Sequence, residues 1–373
     1  MKKIIILGAG RVGQVMARDL NDDDDLEVTA ADLNADNLEN ARKRCGCRTV
    51  QADLGESSEI RKTVDPFDLV IGALPGFMGF NALEAVIESG KPCVDISFMP
   101  EDPRTLNEKA AASGSVVVYD MGVQPGTGSL LVADSAIKLR PLESVKIMVG
   151  GLPAQKKPPW DYAAPFSPAD VIEEYVRPAR VLKDGKITSY PACSGIEHIN
   201  FPGVGELEAF YSDGLRSMLD TIECSSMEEK TLRYPGYAGK ILALRDSGFF
   251  ETEAIEIDGK KVVPLSFTLA LLKKAWSMDS SLQEFTALRI EMTGKGGKVT
   301  WQLLDRTDAD FNETSMTRTT GFPAAITARL ILDGTVSLEP GVHPPEALAS
   351  SEGAVDIMLK ELDRRGVHYS RDC

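Results

Sequence analysis

This chain lacks long hydrophobic runs. The apolar stretch after Met1-Lys2-Lys3 breaks at Arg11 with no cleavage site behind it, and Phe322 to Leu332 is short and carries Arg329, so neither a membrane span nor a signal peptide is expected. It also lacks any block dense in Lys and Arg. With a net charge of −15, the electrostatic footprint of a nucleic-acid partner is missing. Its six cysteines (Cys45, Cys47, Cys93, Cys193, Cys224, Cys373) are scattered, which suits reduced thiols rather than a disulfide framework, and a cytoplasmic location is expected. Cys45-Gly46-Cys47 is too closely spaced for an ordinary zinc half-site, so no metal is expected. What remains is ordinary globular composition, 43% apolar and 26% charged, in 373 residues, enough for two domains.

The organising stretch is Lys3 to Gly13, KIIILGAGRVG. A short β-branched run ends at glycine and gives way to Val12, Val15, Met16 and Leu20, so strand period turns into helical period across G-x-G-x-x-G. This is the form of a dinucleotide site. Gly8 permits the tight turn, Gly10 lets backbone approach a diphosphate, and Gly13 allows close packing of helix on strand, while the N–H groups near Arg11 and Val12 face the phosphates. A second strand, Leu26 to Ala31, ends at Asp32, about twenty residues beyond the glycines. A carboxylate there accepts from ribose hydroxyls and repels a 2′-phosphate, and no basic residue follows until Arg42; NAD is therefore expected over NADP.

Strand and helix signals alternate onward. A third strand from Val50 ends near Asp53, a further cofactor-side candidate, and Asp68 to Ala73 leads into Leu74-Pro75-Gly76. Pro92 to Ile96 and Ser115 to Tyr119 supply two more strands, followed by Asp95-Ile96-Ser97-Phe98 and Asp120 to Gly126. Six strands with interleaved helices predict a Rossmann-type doubly wound parallel sheet over residues 1–125, in which these loops converge at one edge. Asp95 and Asp120 are candidate acid/base or amine-binding carboxylates there. After a helix from Gly128 to Leu139 the pattern changes. Val181 to Ile187 reads as a hairpin turning at Asp184-Gly185, and strands follow at Glu253–Ile257, Lys261–Pro264, Phe285–Thr293 and Lys298–Asp305. Residues 126–319 are thus expected to form an α+β substrate and dimerisation domain with a mostly antiparallel sheet, and 320–373 to fold back on the first domain. Exposed strands in the second domain make a homodimer the expected assembly.

Several second-domain motifs carry a resemblance: Gly150 to Ala154, Tyr162 to Ser167, Phe201-Pro202-Gly203 with Leu207 to Tyr211, Thr231-Leu232-Arg233-Tyr234-Pro235-Gly236, and Thr319-Thr320-Gly321-Phe322-Pro323-Ala324-Ala325. Through them the chain resembles the saccharopine dehydrogenase-like family, looking most like its lysine 6-dehydrogenases and next like its saccharopine reductases. The resemblance implies cofactor contacts at Gly10 to Val12, Asp32, Leu74-Pro75 and Gly122-Val123-Gln124, with Phe166 near the nicotinamide. It implies that Ser97, Phe98, Gln124, Thr231 and Arg233 face an amino-acid substrate. Saccharopine reductase has an aspartate at the Gln124 position and an arginine within the segment that reads Tyr211 to Leu215 here, where the nearest arginine is Arg216. Those departures suit a diamino acid better than a substrate with several carboxylates.

The expected reaction is NAD-dependent oxidative deamination of the side-chain amine of lysine or a similar amino acid, giving a semialdehyde and ammonia. A lysine amine has a pKa near 10.4 and must lose its proton before hydride leaves. His198, in Glu197-His198-Ile199-Asn200, is a candidate base. The planar donors of Arg233 suit a bidentate grip on an α-carboxylate, in what reads as an aromatic, Pro/Gly-rich loop. Trp160 and Tyr162 either wall the aliphatic part of a substrate or pack between the domains. Two other readings stand beside this one: a saccharopine reductase or carboxynorspermidine-type dehydrogenase, and a nucleotide-binding regulatory protein without turnover.

Overall fold

The computed structural model describes residues 1–164, 168–278 and 282–372. The chain divides into two units, Met1–Asp134 with Thr317–Val367, and Ser135–Met316 with the terminal residues from His368. In order, the elements are β1 (Lys2–Leu7), α1 (Arg11–Asn21), β2 (Leu26–Asp32), α2 (Ala35–Cys45), β3 (Arg48–Gln51), α3 (Ser57–Val64), β4 (Leu69–Gly72), α4 (Gly76–Glu88), β5 (Cys93–Asp95), α5 (Asn107–Ser113), β6 (Val116–Val118) and α6 (Thr127–Leu139). Then come β7 (Leu142–Pro153), α7 (Pro168–Val176), β8 (Ala179–Lys183), β9 (Lys186–Tyr190), β10 (Glu197–Phe201), β11 (Gly205–Tyr211), α8 (Met218–Thr221), β12 (Cys224–Arg233), α9 (Tyr237–Asp246), β13 (Ile255–Ile257), β14 (Lys260–Val262), α10 (Pro264–Ala275), β15 (Glu284–Gly294) and β16 (Gly297–Arg306). Last are α11 (Ser315–Leu332), β17 (Gly341–His343), α12 (Ala354–Arg364) and β18 (Tyr369–Asp372).

The first unit holds a parallel sheet ordered β17-β6-β5-β4-β1-β2-β3. Ile4, Ile5 and Ile6 are fully buried in its centre, as β-branched residues covered by helices on both faces should be. Because every pairing is parallel, the carboxyl ends of all its strands share one edge. The sequence reading has six strands; the seventh, β17, is only three residues long and shows no periodicity, so it is found by its pairing with β6 rather than by pattern.

The C-terminal return is anchored by charge and by close packing. Asp19 on α1 accepts from Arg329 Nη1 at 2.6 Å and from Arg365 Nε at 2.5 Å. Helix α11 starts at Ser315, ahead of the expected Phe322, and runs through both Gly321 and Pro323. Gly321 serves packing rather than a turn: a Cβ there would lie 3.1 Å from Met16 Cγ and 3.4 Å from Val12 Cγ1 of α1. The return stops at Val367. Tyr369–Asp372, expected back on the first unit, instead pair antiparallel with β16 in the second, which corrects the expectation for the last residues.

The second unit is built on a nine-stranded sheet along β10-β11-β12-β7-β15-β16-β18, with β8 and β9 joined through β12. Only the β12–β7 pairing is parallel, so the sheet is mostly antiparallel. The β8–β9 hairpin turns at Asp184 (φ 50) and Gly185 (φ 73), the two positive-φ positions that an Asp-Gly turn supplies. On β12, Leu232 faces one core layer with Leu207, Ala209 and Phe285. The opposite face meets a second, aromatic layer with Tyr162, Tyr175, Phe210, Tyr237 and Trp276.

Candidate dinucleotide site and the second-unit polar cluster

Between β1 and α1 the chain makes the tight turn expected of Gly8, at φ 108, where a Cβ would fall 2.4 Å from the carbonyl oxygen of Ala73. A Cβ on Gly13 would fall 2.0 Å from Gly8 O, so helix and strand pack as closely as that glycine permits. Gly10 differs: among the described residues, no atom beyond its own chain neighbours lies within 4 Å of the position its Cβ would take. Gly10 is the N-cap of α1 and, being glycine, brings no side-chain cap hydrogen bond. The first backbone donors of α1, near Arg11 and Val12, thus adjoin open space with the positive end of the helix dipole behind them, which fits a diphosphate.

Asp32 ends β2 beside this turn. Its Oδ2 accepts from the Ala9 N–H at 2.9 Å and from Asn37 Nδ2 at 3.1 Å, and its Oδ1 from the Asn34 N–H at 2.8 Å. Asn37 and Gln14 are residues the sequence reading missed. Gln14 Nε2 donates to Ala9 O at 2.9 Å, fastening the turn from the helix side, and only its place on the buried face of α1 could have signalled it. Asp53, after β3, accepts from the Gly55 N–H at 3.0 Å and lines an open cavity of about 460 Å³ with Leu33, Ala52 and Ser58. Leu74 lies against the Gly8 turn, and Pro75 precedes the first turn of α4.

Three strands along, β5 ends in Asp95. It is 2% exposed, and its carboxyl accepts from the Ser97 N–H at 2.7 Å and the Ser97 hydroxyl at 3.3 Å. Burial pushes its pKa up to about 8, opposed by the Ser97 hydrogen bonds and reinforced by the neighbouring Asp120 carboxylate. Room for the carboxyl comes from Gly72, whose Cβ would sit 1.8 Å from Asp95 Oδ2. Asp120 follows β6 with φ 55 and opens a folded turn in which the Gly122 N–H donates to Pro125 O and the Thr127 N–H to Gly122 O. Val123 is buried in that turn and Gln124 half-buried, its Oε1 against Gly128. Phe98 is half-buried after Ser97. The parallel sheet therefore places Gly8, Gly10, Asp32, Asp53, Leu74, Asp95, Ser97, Asp120 and Gln124 at the strand ends and following loops of one edge.

The second unit treats its candidates differently. Arg233 is the last residue of the interior strand β12, not a loop residue, and is 4% exposed. Its Nη2 donates to Glu174 Oε2 and to the Tyr175 hydroxyl, both at 3.1 Å, its Nη1 to Leu232 O at 2.9 Å, and its guanidinium lies 4.6 Å from the centroid of Tyr162. Both terminal nitrogens are thus engaged inside the protein, and the structure corrects the free bidentate grip expected of Arg233. Only Nε is buried without a hydrogen-bond partner among the described residues. Thr231, on the same face, shares a 2.7 Å hydrogen bond with the Ser212 hydroxyl, which donates to Glu229 Oε2 at 2.7 Å. Glu229 also accepts from the Gly214 N–H, and burial, reinforced by the nearby Glu174, pushes it up to about 8. The sequence reading missed Glu229, although its spacing of two from Thr231 places both on one strand face.

His198 stands on the edge strand β10, its side chain 50% exposed and its Nδ1 3.0 Å from Glu206 Oε1. Half exposed and already hydrogen-bonded to Glu206, it stands on the surface rather than in an enclosed site. Tyr162 is buried and Trp160 half-buried, and both pack edge-on against Trp276 in the aromatic layer of the second unit. Phe166 lies outside the described residues. Among the described residues, no helix is long and apolar enough to cross a membrane.

Residues 4–118 match the saccharopine dehydrogenase NADP binding domain, and residues 122–367 the saccharopine dehydrogenase C-terminal domain. Saccharopine dehydrogenase (NADP(+), L-glutamate-forming) of Saccharomyces cerevisiae is 24% identical over 298 residues, 77% of this chain and 66% of that enzyme. Carboxyaminopropylagmatine dehydrogenase of Synechocystis sp. is 22% identical over 364 residues, 90% of each chain. Mitochondrial alpha-aminoadipic semialdehyde synthase of Mus musculus is 25% identical over 71% of this chain, which spans only 30% of that protein. The solved apo saccharopine dehydrogenase (L-Glu forming) from Saccharomyces cerevisiae shares the fold, with a TM-score of 0.81 at 21% identity over 100% of this chain and 99% of that one. With both domain models matched across nearly its whole length, the chain belongs to the saccharopine dehydrogenase family.

Proposed function

We propose that this protein is an NAD-dependent oxidoreductase that oxidatively deaminates the side-chain amine of L-lysine or a similar amino acid. The observation that carries the cofactor half is the open space over Gly10 at a helix start whose N-cap is glycine, with the Asp32 carboxylate at the next strand end. A nicotinamide dinucleotide held there would accept hydride from the carbon bearing the amine. The rest falls to the chain's own groups. Backbone N–H groups of α1 receive the diphosphate, and Asp32 favours an unphosphorylated ribose. Asp95, held in place by Ser97 and poised near pH 8, is the group best suited to take the proton of the substrate amine.

The names of the relatives favour a second reading, in which the chain forms or cleaves a secondary amine as a saccharopine reductase or carboxynorspermidine-type dehydrogenase would. One experiment separates the two. The purified protein is incubated with NAD or NADP and a panel of lysine, ornithine, saccharopine and diamines, and reduced nicotinamide is followed by absorbance. Turnover of lysine with NAD supports the first reading; turnover of saccharopine alone replaces it with the second; no turnover with any member removes both.

A further inference from the structure

The Asp32 carboxylate is largely occupied by the protein itself. Among the described residues its Oδ2 accepts from the Ala9 N–H at 2.9 Å and from Asn37 Nδ2 at 3.1 Å, and its Oδ1 from the Asn34 N–H at 2.8 Å. A carboxylate offers about four lone-pair positions, so these donors leave about one, on Oδ1. An adenosine ribose brings two hydroxyls to this place. The second hydroxyl therefore needs another acceptor.

Asn37 supplies one by position and by orientation. It is the third residue of α2, and helical side chains lean toward the N-terminus of their helix, which carries the Asn37 amide back onto the end of β2. An amide oxygen would be repelled by a carboxylate oxygen at 3.1 Å, so the nitrogen faces Asp32 and Oδ1 points elsewhere. The side chain is half-buried, and among the described residues its Oδ1 accepts from no protein donor. Asn34, the other amide beside Asp32, uses its oxygen to cap α2, accepting from the Asp36 N–H at 2.8 Å. We propose that Asn37 is a second ribose-binding residue, whose Oδ1 accepts from one adenosine ribose hydroxyl while the lone pair left on Asp32 Oδ1 accepts from the other. The hydrogen bond to Asp32 fixes the Asn37 amide in advance, so little side-chain freedom is lost when the sugar arrives.

This proposal rests on the reading of the glycine-rich turn as a dinucleotide site. Its test measures the affinity of the full chain for NAD and for the NAD analogues built on 2′-deoxyadenosine and 3′-deoxyadenosine, in the unmodified protein, Asn37→Ala and Asp32→Ala. Alanine is a better helix former than asparagine, so α2 persists in the first variant. Asn37→Ala should raise the NAD Kd roughly fivefold, the scale of one neutral hydrogen bond, and that loss should vanish with the analogue lacking the hydroxyl that Asn37 holds. Asp32→Ala should become insensitive to removal of the other hydroxyl. An unchanged NAD Kd in Asn37→Ala would overturn the proposal. So would a loss of equal size for NAD and both analogues, or two variants made insensitive to the same hydroxyl, because Asn37 would then act only through Asp32. Failure of the unmodified protein to bind NAD or NADP would strike the cofactor reading and the proposal together, whereas NAD binding with any of those three results strikes the proposal alone.

Discussion

The carboxylate of Asp32 accepts a 2.9 Å hydrogen bond from the backbone N–H of Ala9, tying the end of the second strand to the turn after the first. One side chain therefore shapes the glycine-rich turn and, in the function proposed above, also faces the ribose 2′ position of the dinucleotide. Replacing Asp32 by Ala should raise the NAD Kd by roughly tenfold, the scale of losing a charged hydrogen-bond partner, and narrow the preference over NADP. Titration of both dinucleotides by fluorescence checks this. A wild-type protein that prefers NADP would remove Asp32 as the discriminating group.

Asp95 supplies a second test because its carboxyl is poised near pH 8 by burial. In the oxidative direction the proton acceptor is the ionised form, so the rate should rise with pH through about 8. Asp95→Asn keeps an oxygen for the Ser97 N–H and should lose that limb of the profile, with kcat falling by roughly 10²–10⁴ and dinucleotide affinity unchanged. A variant with full kcat and the same profile would show that Asp95 only closes the loop around Ser97.

How much of this could be read from the chain follows from where each signal lives. The glycines, Asp32 and the strand-end carboxylates of the first unit are local signals: G-x-G-x-x-G acts through backbone geometry within one turn, and a parallel sheet carries every strand end to the same edge. The second unit depends on long-range partners. Arg233 beside Pro235-Gly236 reads as a loop residue, yet it closes β12, and its partner Glu174 lies 59 residues away on α7. His198 reads as a candidate base because histidine is scarce, but composition cannot reveal that its strand lies at an edge. Likewise Gly321-Phe322-Pro323 looks like a helix boundary, and only the contact of Gly321 with α1 explains why the helix continues.

The Arg233–Glu174 pair makes the contrast measurable. Arg233→Ala leaves the Glu174 carboxylate and three tyrosines around a lost cation, a change that typically costs about 3–5 kcal/mol for a buried pair. All three tryptophans, Trp160, Trp276 and Trp301, lie in the second unit, so intrinsic fluorescence reports its unfolding directly. The expected outcome is a clear drop in the denaturant midpoint. A variant as stable as the parent, with KM alone raised, would return Arg233 to the substrate.

Glu229 gives the sign of a pH effect. Its native pKa lies at about 8, above the ordinary 4.5, so the folded state holds a proton that the unfolded chain releases. Its contribution to stability is therefore complete below about pH 4.5 and declines as pH rises toward 8. Glu229→Gln mimics the protonated form, and the amide oxygen can still accept from the Ser212 hydroxyl and the Gly214 N–H, both of which donate to the same carboxyl oxygen. The Tm read by tryptophan fluorescence should match the parent near pH 5 and exceed it at pH 8, by roughly 2–4 °C for each kcal/mol relieved in a unit of this size. A variant destabilised equally at both pH values would show that Glu229 is charged in the fold, held there by its hydrogen bonds despite its burial.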